Sequence, residues 1–228
     1  MIKVEKTRNV TQEQLARLIN ISGRQRMLSQ RISLLLLYFE KQGAPEILQQ
    51  LDDAIALFET SHQQLTQGDS HENLPGIFSD NIREIYFSEN KAADNVIKSF
   101  IAEAKTIRAH LVSHQELNHD SFNSFLTLSA TTLIELLNEI THAYQTESKQ
   151  LSDETHRQFN KNMRQVKNML ENITAISRQA KIVAFNTAVA ATRLGEKGAE
   201  ISVVAREIEK LTQDINSEIK QVMRKLEL

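Results

Sequence analysis

From Ser121 to Leu194 the chain contains neither proline nor glycine, and that run limits what it can fold into. The two residues that most readily end a helix are missing, so a helix begun there has no local reason to stop. After Phe159 the apolar positions are Met163, Val166, Leu170, Ile173, Ile176, Ala180, Val183 and Thr187. Their steps mostly alternate between four and three, the rhythm of a coiled-coil seam. At about 1.5 Å per residue such a helix can extend on the order of 100 Å. The first interruption is "LGEKGA" at 194–199, where Gly195 and Gly198 supply the backbone freedom for a tight reversal and Leu194 comes to face Ala199. Val204, Ile208, Leu211, Ile215, Ile219, Val222 and Leu226 then continue the seam, so residues 166–226 predict a helical hairpin. Near its tip the seam is small, with Ala184, Thr187, Ala188 and Ala191, which permits a second hairpin to approach closely. The expected completion is a homodimer closing a four-helix bundle; the alternative is a monomer whose hairpin folds back on the rest of the chain.

The N-terminal part reads as helical too. Thr11 and Gln14 form a capping box, and Leu15, Leu18, Ile21, Leu28, Ile32, Leu35 and Phe39 trace one helix up to Gly43 and Pro45. A second helix runs to Gln67 with the stripe Leu48, Leu51, Ile55, Phe58, Leu65, and "QGDSHENLPG" (67–76) is the longest loop. A third helix is expected from Ser79 to His114, and "NHDS" (118–121) caps a fourth beginning near Phe122. The fold class is therefore all-α: an up-down-up-down four-helix bundle continued by a long helix into an antiparallel coiled-coil hairpin. Two prolines, six glycines, no tryptophan and 5% aromatic residues agree with it.

With 27 basic and 29 acidic residues spread along the chain, no net field draws it to nucleic acid or to an anionic membrane. There is no cysteine, which removes disulfides, thiolate chemistry and cysteine-based zinc sites. The most apolar run, Ile32 to Phe39, is far below the ~20 residues a membrane span needs, and "MIKVEKTRNV" lacks a signal-peptide core. A soluble, cytoplasmic protein without membrane insertion is expected.

One stretch of the first helix, "ISGRQRMLSQRI" (21–32), carries arginines, glutamines and small residues where a bundle helix is ordinarily apolar or charged. Arg26 lies about 200° around the helix from Arg24, with Arg31 almost beneath Arg24. On the side of Arg26 lie Ser22, Gly23, Ser29, Gln30 and Ser33, a small polar stripe. Read alone, the arginines are solvated or paired with carboxylates of neighbouring helices.

Two resemblances bear on the rest. Residues 176–215 look like the cytoplasmic tip of methyl-accepting chemotaxis receptors, through Ala184, Asn186, Ala188, Val189, Ala191, Arg193, Gly195, Glu196, Gly198, Val203, Val204, Ala205, Glu207 and Leu211 in one ungapped register. "ISGRQRMLSQRI" resembles the first-helix motif of the type IV pilus methyl-accepting transducer N-terminal (PilJ-type) domain, a relative of the four-helix sensor of nitrate-sensing histidine kinases. In those sensors the arginine matching Arg26 contacts a small oxyanion between two copies of the helix. The resemblance thus implies a ligand site for nitrate or nitrite formed by Arg26 with Gly23, Ser22, Arg24, Ser29, Gln30 and Arg31, the polar stripe serving as dimer interface. It also implies a signalling tip of Asn186, Val189, Arg193, Gly195, Glu196, Gly198, Val204 and Glu207 that meets a chemotaxis histidine kinase, its coupling protein or full-length receptors. The receptors carry glutamate where Ala190 stands and Arg-Gly-Phe where Ala199, Glu200 and Ile201 stand, which puts kinase control in question.

Other chemistry is weaker. The pairs Glu59/His62 and Glu139/His142 have the spacing of di-iron bundles, yet the first helix offers only Glu13 and Glu40 near its ends. His110, His114 and His119 have metal-compatible spacing without completing ligands. No phosphate loop, nucleophile elbow or kinase motif is present. The sequence therefore predicts a non-enzymatic signalling protein with no cofactor and no metal. Residues 1–150 form a PilJ-like sensor bundle, and 151–228 a truncated receptor-like hairpin with its tip near 194–199. The competing reading is a ligand-independent dimeric adaptor that co-assembles with chemoreceptors or another coiled coil.

Overall fold

The computed structural model describes residues 10–43, 45–113 and 118–226. The chain divides into two compact units, Met1–Ser152 and Asp153–Leu228. The first contains α1 (Gln12–Gln42), α2 (Glu46–Gln67), a two-residue ribbon of β1 (Gly68–Asp69) and β2 (Leu74–Pro75), α3 (Asp80–Phe87), α4 (Ala93–Val112) and α5 (His119–Leu128). A π-helical turn at Ser129–Leu133 leads into α6 (Ile134–Arg193). The second unit takes the rest of α6, a 3₁₀ turn at Gly195–Gly198 and α7 (Ala199–Leu226).

The capping box forms: the Gln14 amide N–H donates to the Thr11 hydroxyl, and the Thr11 N–H donates to the Gln14 side chain at 2.9 Å. Gly43, at φ 61°, ends α1 by donating its N–H to the Phe39 carbonyl. Four helical segments, α1, α2, α4 and the α5–α6 run, enclose Leu18, Leu36, Phe58, Phe100, Phe125, Leu133 and Tyr144, all buried. Phe100 is central, 5.3 Å from Phe58 and stacked on Phe125 at 5.0 Å between ring centroids.

The expected third helix is not continuous. It is broken at Ser88–Ala92 into α3 and α4, with Ala92 in the left-handed region at φ 40°. On one unbroken helix Glu89 and Asn90 would fall on the face defined by Tyr86 and Ala93, both fully buried. Burying an unpaired carboxylate there is prohibitive, so the chain leaves the helix and keeps both residues in water. An ion pair from Lys91 to Glu139 ties this break to α6.

The π-helical turn has an equally local cause. Phe125, Ser129, Leu133 and Leu137 all reach the core, each four residues from the last. On an α-helix each such step drifts about 40°, so three of them would carry Leu137 about 120° off the core face. One extra residue accommodated as a π turn removes that drift. α1 holds the turn in place: Gln30 Nε2 donates to the Ser129 carbonyl at 3.1 Å, and the Ser33 and Ser129 hydroxyls hydrogen-bond at 2.7 Å.

Between α2 and α4 lies a buried network: His62 Nε2 meets Asp94 Oδ1 at 2.9 Å, and Lys98 Nζ meets Asp94 Oδ2 at 2.7 Å. Burial holds the His62 imidazole below its ordinary pKa, against the opposing pull of Asp94. The Arg108–Asp52 and Lys105–Glu59 pairs join the same helices nearer the surface. The hairpin unit is built differently. Ser177, Ala184, Ala191, Gly198, Ala205, Thr212 and Ile219 are its buried residues, spaced by sevens. Ser177 donates to the Thr212 carbonyl at 3.1 Å. At Gly198 a Cβ would lie 2.0 Å from the Ala191 carbonyl oxygen, so only glycine permits this closeness of α6 to the turn.

Two outcomes test this account. Deleting Ala130, exposed within the π turn, restores an α-helix without moving either flank, so the thermal midpoint should stay within about 5 °C of wild type. Deleting exposed Ala102 within α4 turns half of that helix off the core and should cost about 10 °C or more. The second concerns His62. Its folded pKa is lowered, so the unfolded chain binds the proton more readily and stability declines as pH falls below about 6.5. Thermal unfolding across that range should show the decline, and His62→Gln, which keeps a donor for Asp94, should remove it.

Candidate functional site

The stripe singled out in the sequence is divided by the structure. Ser22, Ser29 and Ser33 are buried within the chain itself. Their hydroxyls donate back to α1 carbonyls, Ser22 to Ile19 at 2.9 Å, Ser29 to Arg26 at 2.8 Å and Ser33 to Ser29 at 3.2 Å. The side chain of Ser33 also reaches Ser129, and that of Gln30 bonds the Ser129 carbonyl. The expectation that these serines line a contact between two copies of α1 is therefore corrected: all three are buried within the chain, Ser33 against Ser129 of the π turn. Serine fits because it brings helices close while returning its hydroxyl to its own backbone.

Arg26 lies at the edge of this covered face. It is exposed, and its Nη1 donates to Asn138 Oδ1 of α6 at 2.9 Å. Arg24 and Arg31 flank the opposite side towards α2, within 3.4 Å of Gln64 and Gln50 respectively. None of these guanidiniums is paired with a carboxylate among the described residues. Between the two arginine edges runs the open face of α1: Gly23, Met27, Leu34 and Tyr38, with Leu34 65% exposed and Met27 56%. A Cβ added at Gly23 would meet nothing within 4 Å.

Sequence reasoning passed over Gln25. It is fully buried, and neither its amide nitrogen nor its oxygen has a hydrogen-bond partner; the Nε of neighbouring Arg24 is likewise buried and unpartnered. Leaving such groups unsatisfied costs about 1–3 kcal/mol each. The available signal was its place on the apolar line between Ile21 and Leu28, where a polar residue is out of pattern. Asn138 and Ser129 were also missed, since nothing in their spacing marks them as partners of α1.

The metal-compatible pairs do not come together. Glu59 pairs with Lys105, His62 with Asp94, and Glu139 with Lys91. His142 is exposed, and among the described residues no cluster of three metal-ligating side chains occurs. His114 lies outside the described residues.

At the hairpin tip Asn186, Arg193, Glu196 and Glu207 are exposed, as are Val189 and Val204, while Gly195 takes φ 61° and Gly198 is buried against Ala191. The seam read from the sequence is corrected here. Ala184 and Ala191, expected to receive a second hairpin, are consumed in packing α6 on α7. The larger residues Phe159, Ile173, Ile176 and Val183 of α6 remain open, Ile176 64% and Val183 63% exposed, with Val204, Leu211 and Ile215 of α7. Glycine, alanine and serine let two helices approach; once they have, the bulkier positions beside them cannot also turn inward.

Among the described residues no helix is long and apolar enough to cross a membrane. Comparison with known families gives two matches. Residues 9–86 match the family described as type IV pili methyl-accepting chemotaxis transducer N-term, from α1 through α3. Residues 130–227 match the methyl-accepting chemotaxis protein (MCP) signalling domain, from the π turn to the end of α7. No curated protein and no solved structure matches the chain. The chain is thus a signal-transduction protein that joins a PilJ-type N-terminal segment to a methyl-accepting chemotaxis signalling segment.

Proposed function

We propose that the protein senses a small oxyanion, nitrate or nitrite in kind, at a junction between α1 of two copies, and relays occupancy along α6 to the hairpin tip. The observation that carries this reading is the exposed Gly23–Met27–Leu34–Tyr38 face of α1, edged by Arg26 on one side and by Arg24 and Arg31 on the other. An isolated patch of this kind is suited to meeting its own symmetry mate, and two-fold symmetry then brings arginines from both copies to the joint. A guanidinium offers a planar anion two parallel donors. Ser22 and Ser29 have no part in such an interface. Arg26–Asn138 and Gln30–Ser129 join α1 to α6 and to the π turn before it, so a change in the packing of α1 has a direct route into α6. To signal, the anion must favour one packing over the other, since equal affinity for both shifts nothing.

The open apolar residues of the hairpin support homodimerisation in the second unit as well, with the tip then presented to chemotaxis machinery such as the histidine kinase and its coupling protein. The adaptor reading draws on those same residues: a hairpin with so much uncovered apolar surface can capture another coiled coil with no ligand at all.

Calorimetric titration of the full chain with nitrate and nitrite separates the two readings. Saturable binding is expected, weakened tenfold or more by Arg26→Ala, which is about 1.4 kcal/mol. Absence of binding to either anion would discard the sensor reading in favour of the adaptor. Light scattering should report a dimer in wild type. Ile176→Glu combined with Val183→Glu places charge on the open hairpin face and should reduce the dimer fraction at a given concentration without lowering helix content. An unchanged dimer would place the association elsewhere.

A further inference from the structure

A cavity lies in the first unit, lined in part by α3 and by no residue of α1. It measures about 760 Å³, enough for a small organic molecule, and is bounded by the C-terminal end of α2, by α3 and by the N-terminal half of α4. Its floor holds the Asp94 carboxylate, only 8% exposed, whose two oxygens are both engaged, one by His62 and the other by Lys98. The charges of Asp94 and Lys98 are therefore committed to each other. Arg83 is different. It projects from α3 into the lining, is half-buried, and among the described residues its guanidinium has neither an ion pair nor a hydrogen bond.

A half-buried guanidinium is costly to leave unmatched, because desolvation is not offset by a partner. Around it the wall is mixed. Ile77 and Phe87 present apolar surface, and Thr66 offers a hydroxyl. Asp80 and Glu84, also in the lining, are exposed. Those two carboxylates disfavour an anion of high charge while leaving room for a single negative group at Arg83. α3 is not one of the four long helical segments that enclose the core. The break at Ser88–Ala92 separates α3 from α4, and residues of both, with the end of α2, border the cavity.

We propose that this cavity is a second ligand site, for a small monocarboxylate whose carboxylate is held by Arg83 and whose apolar body packs on Phe87 and Ile77. The site is independent of the oxyanion reading of α1. It draws on different helices, and the planar fork of Arg83 matches a carboxylate while the aromatic wall favours a carbon body over an inorganic ion.

The test is a calorimetric titration of the full chain with acetate, butyrate and benzoate, and separately with citrate, inorganic phosphate and nitrate. Saturable binding is expected for butyrate or benzoate, tighter than for acetate. Arg83→Ala and Phe87→Ala should each weaken it tenfold or more, and Arg26→Ala should leave it unchanged. Arg83 has no partner among the described residues, so Arg83→Ala should leave the thermal midpoint no lower than wild type, and Arg83→Lys provides a second variant that retains the charge. No binding of any monocarboxylate, or binding indifferent to Arg83→Ala, would overturn the proposal. So would Arg83-dependent binding of phosphate, citrate or nitrate without that of butyrate or benzoate.

Discussion

The hydrogen bonds from Gln30 and Ser33 of α1 to Ser129 fasten the one irregular turn on which the rest of the first unit depends. An α-helix cannot present Phe125, Ser129, Leu133 and Leu137 to one core at steps of four. Either the helix gives up one of them or its winding changes. Here the winding changes, and the Ser129 carbonyl in the wider turn accepts a hydrogen bond from the Gln30 side chain of α1. With the turn in place, Leu137, Ile140 and Tyr144 fall correctly against the bundle, and α6 continues to Arg193. The same contacts fix what α1 can offer to anything else. Its serine side is buried within the chain, and its Met27–Leu34 side is left open.

A comparable division of labour governs the hairpin. Small residues at sevenfold spacing, Ala184, Ala191 and Ala205 among them, pack α6 on α7 so closely that Gly198 tolerates no side chain. Close approach by small residues buries little area, and burial of about 25 cal/mol per Å² is what drives helix association in water. The apolar residues that could supply that area, such as Ile176, Val183 and Leu211, are on the outside. A hairpin so built is specified in geometry by its small residues, while its larger apolar residues stay uncovered.

The buried polar groups of the first unit fall into two kinds. Asp94 is satisfied on both oxygens, and the burial of His62 beside it, which outweighs the pull of Asp94 on its proton, makes the bundle sensitive to acid. Gln25 is not satisfied, and it sits on α1 beside the arginines. A helix carrying an unpaired buried amide has less to lose by shifting than one whose core line is wholly apolar, which is the physical condition for two packings of similar energy.

Helix content, the breaks at Gly43 and 195–198, and the capping of α1 were legible in the sequence, because they follow from local preferences and from the absence of proline and glycine between Ser121 and Leu194. The motifs of the tip and of the first helix were legible as well. What the sequence could not decide was the direction in which each stripe faces. Ser22, Ser29 and Ser33 read as an outward seam until the fold buries them, and the coiled-coil residues of α6 read as an inward seam until the alanines take that place. Periodicity fixes which residues share a face, but each face is assigned to core or to solvent by the neighbour that packs best against it. That neighbour lies far along the chain. The break between α3 and α4 was hidden for a similar reason: Glu89 and Asn90 suit a helix locally, and only the burial of Tyr86 and Ala93 on the same side rules them out of one.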